Sequence, residues 1–354
     1  MYIKSLPSSF PSVPLYVLAG AEPTAELCAN TPAKRWVVDH LPPSVRLRVA
    51  DQLERLHSDW TCTCTQLVKI GLASLADWRR YVWSWLVVNT RCIHLGPQST
   101  ASSESMPPKA SCLDMLLLPI GKRDSIALAP VLDLLNHSYQ ASVSTYFDAK
   151  CRRFVIKTLR PYHKGDEVFI SYGPHDNGFM LAEYGFVLPD NPYCVLSLDH
   201  AVESWIRAIK SKLDALRARA PITTENIDTL VALVKQHGLW GDFALSLDTT
   251  EPPYRLQATL YLILAAMQGS GLKGAVSRWE CWRHGKDING VGAKAEAATL
   301  CWIKQTCTDI ALHAQQMSST IQTTESSPID PFLVHCLGII WSKIDAIARH
   351  HSRN

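Results

Sequence analysis

The sequence predicts an α+β protein with a helical amino-terminal region, a small β-rich core and an all-α carboxy-terminal domain. Three observations carry this reading. Apolar residues recur at helical spacing before residue 91 and again from about residue 200 onward. Between those stretches lie short runs of strand-forming residues broken by Gly, Asp and Lys. No period repeats along the chain, so a solenoid is not indicated. The 354 residues are enough for two or three domains, and 47% hydrophobic against 19% charged residues is the composition of a chain that buries a core. The expected divisions are 1–125, 126–192 and 195–354.

Residues 1–40 hold prolines at 7, 11, 14 and 23 and read as irregular. Pro42-Pro43 opens a helix to about Trp60, because proline is tolerated in a first turn. A second helix is expected from Leu75 to Thr90, capped by Ser74 with Asp77 three positions on. Trp78, Tyr81, Val82, Trp85 and Leu86 form its apolar face, and it delivers Asn89-Thr90-Arg91 to its end. Residues 96–111 are polar and of low complexity, a surface loop. Thr145–Phe147 and Phe154–Thr158 read as strands around a polar turn. Glu167–Tyr172 reads as a further strand after the turn at Lys164-Gly165. Asp176 is placed to cap a short helix through Tyr184, with Gly185 at its left-handed end.

The later helices follow from apolar stripes. Val202, Trp205, Ile206, Ile209, Leu213 and Leu216 make one. Ile227, Leu230, Val231 and Val234 make another, ended by Gly238. Leu256, Leu260, Ile263, Leu264 and Met267 make a third. Residues 294–317 and 329–349 complete the set across a polar linker, 318–327. Gly290-Val291-Gly292 reads as a loop, and His350-His351 as a frayed tail.

Charge and composition narrow the function. The net charge is +3, and the densest basic pairs are Lys122-Arg123 and Arg152-Arg153. That argues against a direct nucleic-acid footprint. No apolar stretch reads as long enough to span a bilayer, and the amino terminus lacks the unbroken apolar region of a signal peptide. The eleven cysteines are scattered without a CxxC pair, which fits reduced thiols and gives no metal-site spacing. Cys62-Thr63-Cys64 reads as two partly buried thiols.

Three blocks concentrate unusual residues: Ala129-Pro130-Val131-Leu132-Asp133-Leu134-Leu135-Asn136-His137-Ser138, then Gly165-Asp166-Glu167-Val168-Phe169-Ile170-Ser171-Tyr172-Gly173, then Asp176-Asn177 running to Glu183-Tyr184-Gly185-Phe186-Val187. Asn, His, two Tyr and several Gly within one β-rich stretch make a pocket. The residue types alone leave its ligand open.

The paired Asn-His and Tyr-Gly blocks resemble the signature of SET-domain protein methyltransferases, of the Rubisco large-subunit methyltransferase class. The resemblance is strong over 126–192 and weak after 200. Trp83–Arg91 is similar to a segment that this class carries ahead of its Asn-His motif. The resemblance implies a SET core at 126–192, a helical insert within 1–125, and a helical substrate-binding-like domain at 195–354. It implies S-adenosyl-L-methionine as cofactor and lysine of a protein substrate, histones included, as acceptor. Tyr172 then matches the catalytic tyrosine that orients the acceptor amine. Arg91, Asp133, Asn136, His137, Tyr184 and Phe186 match cofactor-binding positions, and no metal is implied. Read as residues alone, Tyr172, Tyr184 and Phe186 fit a core, and Arg91 fits a helix end.

Nothing before residue 126 resembles the Gly-rich cofactor loop with which the family opens its domain. The SET core is therefore expected to lack its N-terminal strands, and this chain to bind cofactor poorly. A non-catalytic protein-interaction module and a histidine acceptor stand as alternative functions. The expected setting is the cytoplasm, the nucleus or both. Oligomeric state is not legible.

Overall fold

A computed structural model describes residues 5–23, 30–94, 126–148, 151, 153–216, 222–286, 293–323 and 329–353. The chain forms two compact units, Met1–Tyr193 with Ser326–Leu337, and Cys194–Glu325 with Gly338–Asn354.

In the first unit the proline-rich start is helical rather than irregular. Pro14 opens α1 (Pro14–Ala19) and Pro32 opens α2 (Pro32–His40). Both prolines sit in a first turn, where a missing N–H removes no intrahelical bond. Thr31 caps α2 by accepting from the Lys34 N–H at 3.2 Å. Helix α3 (Pro43–Lys69) runs well past Trp60. Its last turns contain Thr61, Thr63 and Thr65, whose hydroxyls fold back onto the carbonyls four residues earlier at 2.8–2.9 Å. These threonines thus bond within the helix instead of competing with it. Val45, Val49, Leu53 and Leu56 line the buried face, the spacing of a core-facing stripe.

Helix α4 (Trp78–Arg91) is capped by Asp77, which accepts from the Arg80 N–H at 3.0 Å. The expected cap, Ser74, lies instead in a 3₁₀ turn, Ala73–Leu75. Aspartate is among the strongest N-cap residues, and it won over the serine three positions earlier. Trp60 packs against Trp78 and Tyr81 at centroid distances of 5.5 and 5.1 Å. Trp85 Nε1 donates to Asp59 at 3.2 Å. These contacts fix α4 on α3, and so fix where Arg91 emerges.

Strand β1 (Cys92–His94) pairs antiparallel with β2 (Ile126–Leu128), with Cys92 opposite Leu128. Strand β3 (Val143–Asp148) pairs antiparallel with β4 (Arg153–Thr158), with Val143 opposite Thr158. The loop at 96–111 lies outside the described residues. The strand expected over Glu167–Tyr172 does not form. Only Ile170 pairs, in a parallel bridge with His137. Its partner segment runs from a 3₁₀ turn at Leu132–Leu134 through a bend at Leu135 to a turn at Tyr139-Gln140, so there is no extended run to support a ladder.

Helix α5 (Asn177–Tyr184) is built as expected, with Asp176 accepting from the Phe179 N–H at 3.0 Å and Gly185 at φ 77°. The segment at 326–337, expected with the carboxy-terminal domain, groups with this unit, and Leu333, Cys336 and Leu337 are buried.

Among the described residues the second unit is helical apart from a two-residue ladder of β5 (Leu196–Ser197) with β6 (Ala244–Leu245). Its helices are α6 (Asp199–Leu216), α7 (Thr224–Gln236), α8 (Tyr254–Ala265), α9 (Gly271–Arg283) and α10 (Ala293–Gln322), followed by the later part of α11 (Pro331–Arg353). The expected stripes face inward through Val202, Ile206, Ile209, Ile227, Leu230, Val234, Leu256, Leu260 and Ile263. Helix α9 carries no clean stripe and was not legible, yet Trp279 is fully buried and donates to Ala258 O at 2.9 Å. Met267 falls in a π turn (Ala266–Ser270) broken by Gly269 at φ 87°. Helix α10 continues to Gln322 where a polar linker was expected, because Ser319 and Thr320 bond back to Gln315 and Gln316. Gly290-Val291-Gly292 lies outside the described residues.

By length and composition α11 is long and apolar enough to cross a membrane, contrary to expectation. Leu333, Leu337, Ile340, Ile344 and Ile347 are buried along it, at the period of a core helix. The expected frayed tail is part of this helix. His351 is buried, and its Nε2 lies 2.7 Å from Ser246 O.

Candidate active site

The seven candidate residues come from four stretches of the first unit and gather in one place. The central join lies between residues 135–138 and 170–172. Ile170 N–H donates to Asn136 O at 2.9 Å, and Ser138 N–H donates to Ile170 O at 3.0 Å. Tyr172 N–H donates to His137 Nδ1 at 3.0 Å, and Tyr172 Oη–H donates to Leu135 O at 2.8 Å. Four bonds thus hold the Asn-His and Tyr-Gly motifs side by side.

Arg91 reaches the same place from the end of α4. Its Nη1 donates to Asp133 O at 3.0 Å and lies 3.5 Å from Asp133 Oδ2. The Asp133 side chain is fully buried, while 22% of the Arg91 side chain remains accessible. A guanidinium has five N–H donors, and these two contacts engage Nη1 alone. Asn136 is exposed, and its Nδ2 donates to Glu167 at 2.6 Å.

Aromatic rings form one wall. Tyr172 lies 4.9 Å from Tyr184 and 6.3 Å from Phe186, and His137 lies 5.1 Å from Tyr172 and 6.4 Å from Phe186. These are tilted or edge-on arrangements, which ring quadrupoles favour. Phe179 extends the wall toward Tyr184 at 6.3 Å and carries the His175 ring stacked on it at 3.8 Å. A buried amide pair pins the backbone behind this wall. Asn177 Oδ1 accepts from Leu188 N–H at 3.1 Å and from Asn191 Nδ2 at 3.0 Å, and Asn191 also donates to His175 O at 2.9 Å. Helix α5 therefore sets the position of Tyr184 and Phe186 around Gly185.

Burial dominates the electrostatics. It pushes the Tyr172 phenol up, with the Asp133 carboxylate adding to the rise and the Arg91 guanidinium opposing it. Burial, then Glu183 and Tyr172, push Tyr184 up to about 12. His137 is held below the ordinary histidine value, first by burial and then by His175, against a raising contribution from the Ile170 backbone. Both phenols are therefore neutral at physiological pH, and His137 is neutral above its lowered value.

The arrangement can orient and desolvate a nitrogen. Tyr172 spends its single hydroxyl proton on Leu135 O, which leaves the phenol oxygen as an acceptor for an incoming N–H. The residue types also fit a zwitterionic, aromatic-bearing cofactor. Arg91 offers further donors, Asn136 is exposed at the join, and Tyr184 and Phe186 offer ring faces. Glu167, His175, Asn191 and the Leu135 carbonyl complete the site and were not singled out from the sequence. Glu167 and His175 stand inside or beside the quoted motifs, and their proximity to Asn136 and Tyr172 was the available signal. Asn191 is separated from Asn177 by a helix and a turn and gave none.

Residues 22–173 match the SET domain family. The chain is 30% identical over 233 residues to mouse SET domain-containing protein 4, covering 64% of this chain and 46% of the relative. It is 27% identical over 173 residues to the fission yeast ribosomal lysine N-methyltransferase set11, covering 48% of this chain and 33% of the relative. The chain thus spans less than half the length of either relative. Its fold is that of Rubisco LSMT, whose AdoMet-bound structure superposes with a TM-score of 0.51 at 14% identity, over 99% of this chain and 70% of that one.

Proposed function

We propose that the chain, whose residues 22–173 match the SET domain family, transfers a methyl group from S-adenosylmethionine to a lysine side chain of a protein. The observation that supports this best is the Tyr172 hydroxyl on Leu135 O, beside the Asn136-His137 pair and inside an aromatic wall. The fission yeast relative, a ribosomal lysine N-methyltransferase, supports lysine as the acceptor.

S-adenosylmethionine supplies an electrophilic methyl on a sulfonium, open to in-line displacement by an amine. The residues that would hold it are Arg91, Asp133, Asn136, His137, Tyr184 and Phe186. Arg91 suits a carboxylate, because its guanidinium fork matches two oxygens. Tyr172 accepts an N–H of the acceptor through its phenol oxygen and so aims the nitrogen lone pair. Correct placement of the two reactants is the main contribution available here. A lysine amine ordinarily holds its proton to about pH 10.4. Tyr184, Phe186 and Phe179 exclude water and disfavour the charged ammonium, which assists proton loss.

Calorimetric titration of the chain with S-adenosylmethionine tests the binding part of this proposal. Weak one-to-one binding, as the missing Gly-rich loop implies, reduced about tenfold further (~1.4 kcal/mol) by Asn136→Ala, is expected. Binding unaffected by that substitution would place the cofactor elsewhere.

A further inference from the structure

We propose that His137 is a positioning residue for Tyr172: its unprotonated Nδ1 holds the Tyr172 backbone, keeps the phenol on Leu135 O, and releases both when the ring gains a proton. This deepens the proposed methyltransferase reading and rests on it for the catalytic role of Tyr172.

Hydrogen-bond polarity sets the protonation state of the ring. A backbone N–H can only donate, so the His137 Nδ1 that it meets at 3.0 Å must present a lone pair. The neutral ring therefore carries its proton on Nε2. A protonated ring has N–H on both nitrogens, and two donors would then face each other at this distance. His137 is 6% exposed, so water cannot readily step in to relieve the clash. Tyr172 would lose the backbone bond nearest its side chain. The remaining ties between the segments are Ile170 to Asn136 and Ser138 to Ile170, both at Ile170, two residues from Tyr172.

Burial and His175 lower the ring's value, against a raising contribution from the Ile170 backbone. His175 disfavours a second positive charge, and burial disfavours any charge. Arg91 and Asp133 act on Tyr172 with opposite signs, and Glu167 is bound to Asn136. Because the folded value lies below the ordinary one of 6.5, the bond is intact above pH 6.5 and is lost as pH falls through the lower, folded value.

The test reads the Tyr172 amide in the full chain, by its ¹⁵N–¹H shift and hydrogen-exchange protection against pH. In the native protein the amide should titrate with a midpoint below 6.5 and lose protection of about tenfold or more. His137→Asn keeps a side-chain acceptor near Nδ1 but does not titrate, so protection should persist and the pH dependence should flatten. His137→Leu should lack protection at every pH. Should that variant fail to fold, the asparagine variant alone decides. A Tyr172 amide that titrates in His137→Asn as in the native chain would overturn the proposal. These readouts do not depend on methyl transfer, so a failed methyltransferase assay leaves them standing.

Discussion

The hydroxyl of Tyr172 donates to the backbone carbonyl of Leu135 across 2.8 Å. This one bond joins the two halves of the signature through the atom that faces chemistry. It orients the phenol and determines that its oxygen lone pairs, not its proton, are available to an incoming nitrogen. The same bond connects stability to function, because the phenol is desolvated by the wall that shapes the site.

Replacement of Tyr172 by Phe removes that hydroxyl and little else. Turnover should fall by about 100-fold or more, the range of a positioned polar group acting on the reacting atom. Affinity for S-adenosylmethionine should stay unchanged, since the hydroxyl acts on the acceptor. Parallel single-turnover and binding measurements separate the two. Equal losses in both would assign Tyr172 to the cofactor instead.

Arg91 bonds to Asp133 O and lies beside its buried carboxylate. Arg91→Met should destabilise the first unit by about 1–3 kcal/mol, because the guanidinium contacts to carbonyl and carboxylate are lost. The midpoint of urea unfolding, followed by tryptophan fluorescence, measures this. An unchanged midpoint would mean that Arg91 serves only a ligand.

The two ends of α5 should differ in sensitivity. Asp176→Ala removes a cap and should reduce stability by about 0.5–2 kcal/mol. Gly185→Ala should be worse. Its backbone sits at φ 77°, and an added Cβ would meet Val13 Cγ2 at 2.7 Å and Ser12 Oγ at 2.9 Å. Thermal melts of the two variants rank them, and a Gly185→Ala melt above that of Asp176→Ala would contradict this packing.

Local chemistry made much of this legible in the sequence. Asp176 and Gly185 announced α5, because a cap acceptor and a left-handed glycine act within a few residues. The β3–β4 pairing was visible for the same reason. The resemblance named Arg91, Asp133, Asn136, His137, Tyr172, Tyr184 and Phe186, and these residues gather in space. What was not legible depended on tertiary partners. Glu167–Tyr172 has the residues of a strand, but the turn at Tyr139-Gln140 leaves it one bridge. Helix α9 is held by Trp279 in a core built by other helices. The helical turns at 14 and 32 look irregular by composition, because proline signals both a loop and a first turn.

Alkaline titration should single out the aromatic wall. Tyr184 is pushed up to about 12 and Tyr172 is raised as well. Unfolded phenols ionise near 10, so stability should fall as pH rises above 10, and continue to fall until the folded values are passed. Phenolate absorbance of native protein against Tyr184→Phe should show a missing component only at the alkaline end. A component lost near pH 10 would mean that Tyr184 is solvated.

The most direct measurement is the fate of the methyl group. The chain is incubated with S-adenosylmethionine carrying a tritiated methyl and with a protein extract, and the protein fraction is hydrolysed to amino acids. Label in methylated lysine is expected with the native chain, and its near-complete loss with Tyr172→Phe. Label in methylhistidine would overturn the choice of acceptor. Label confined to nucleic acid or small molecules, or label in lysine that persists with Tyr172→Phe, would contradict the account.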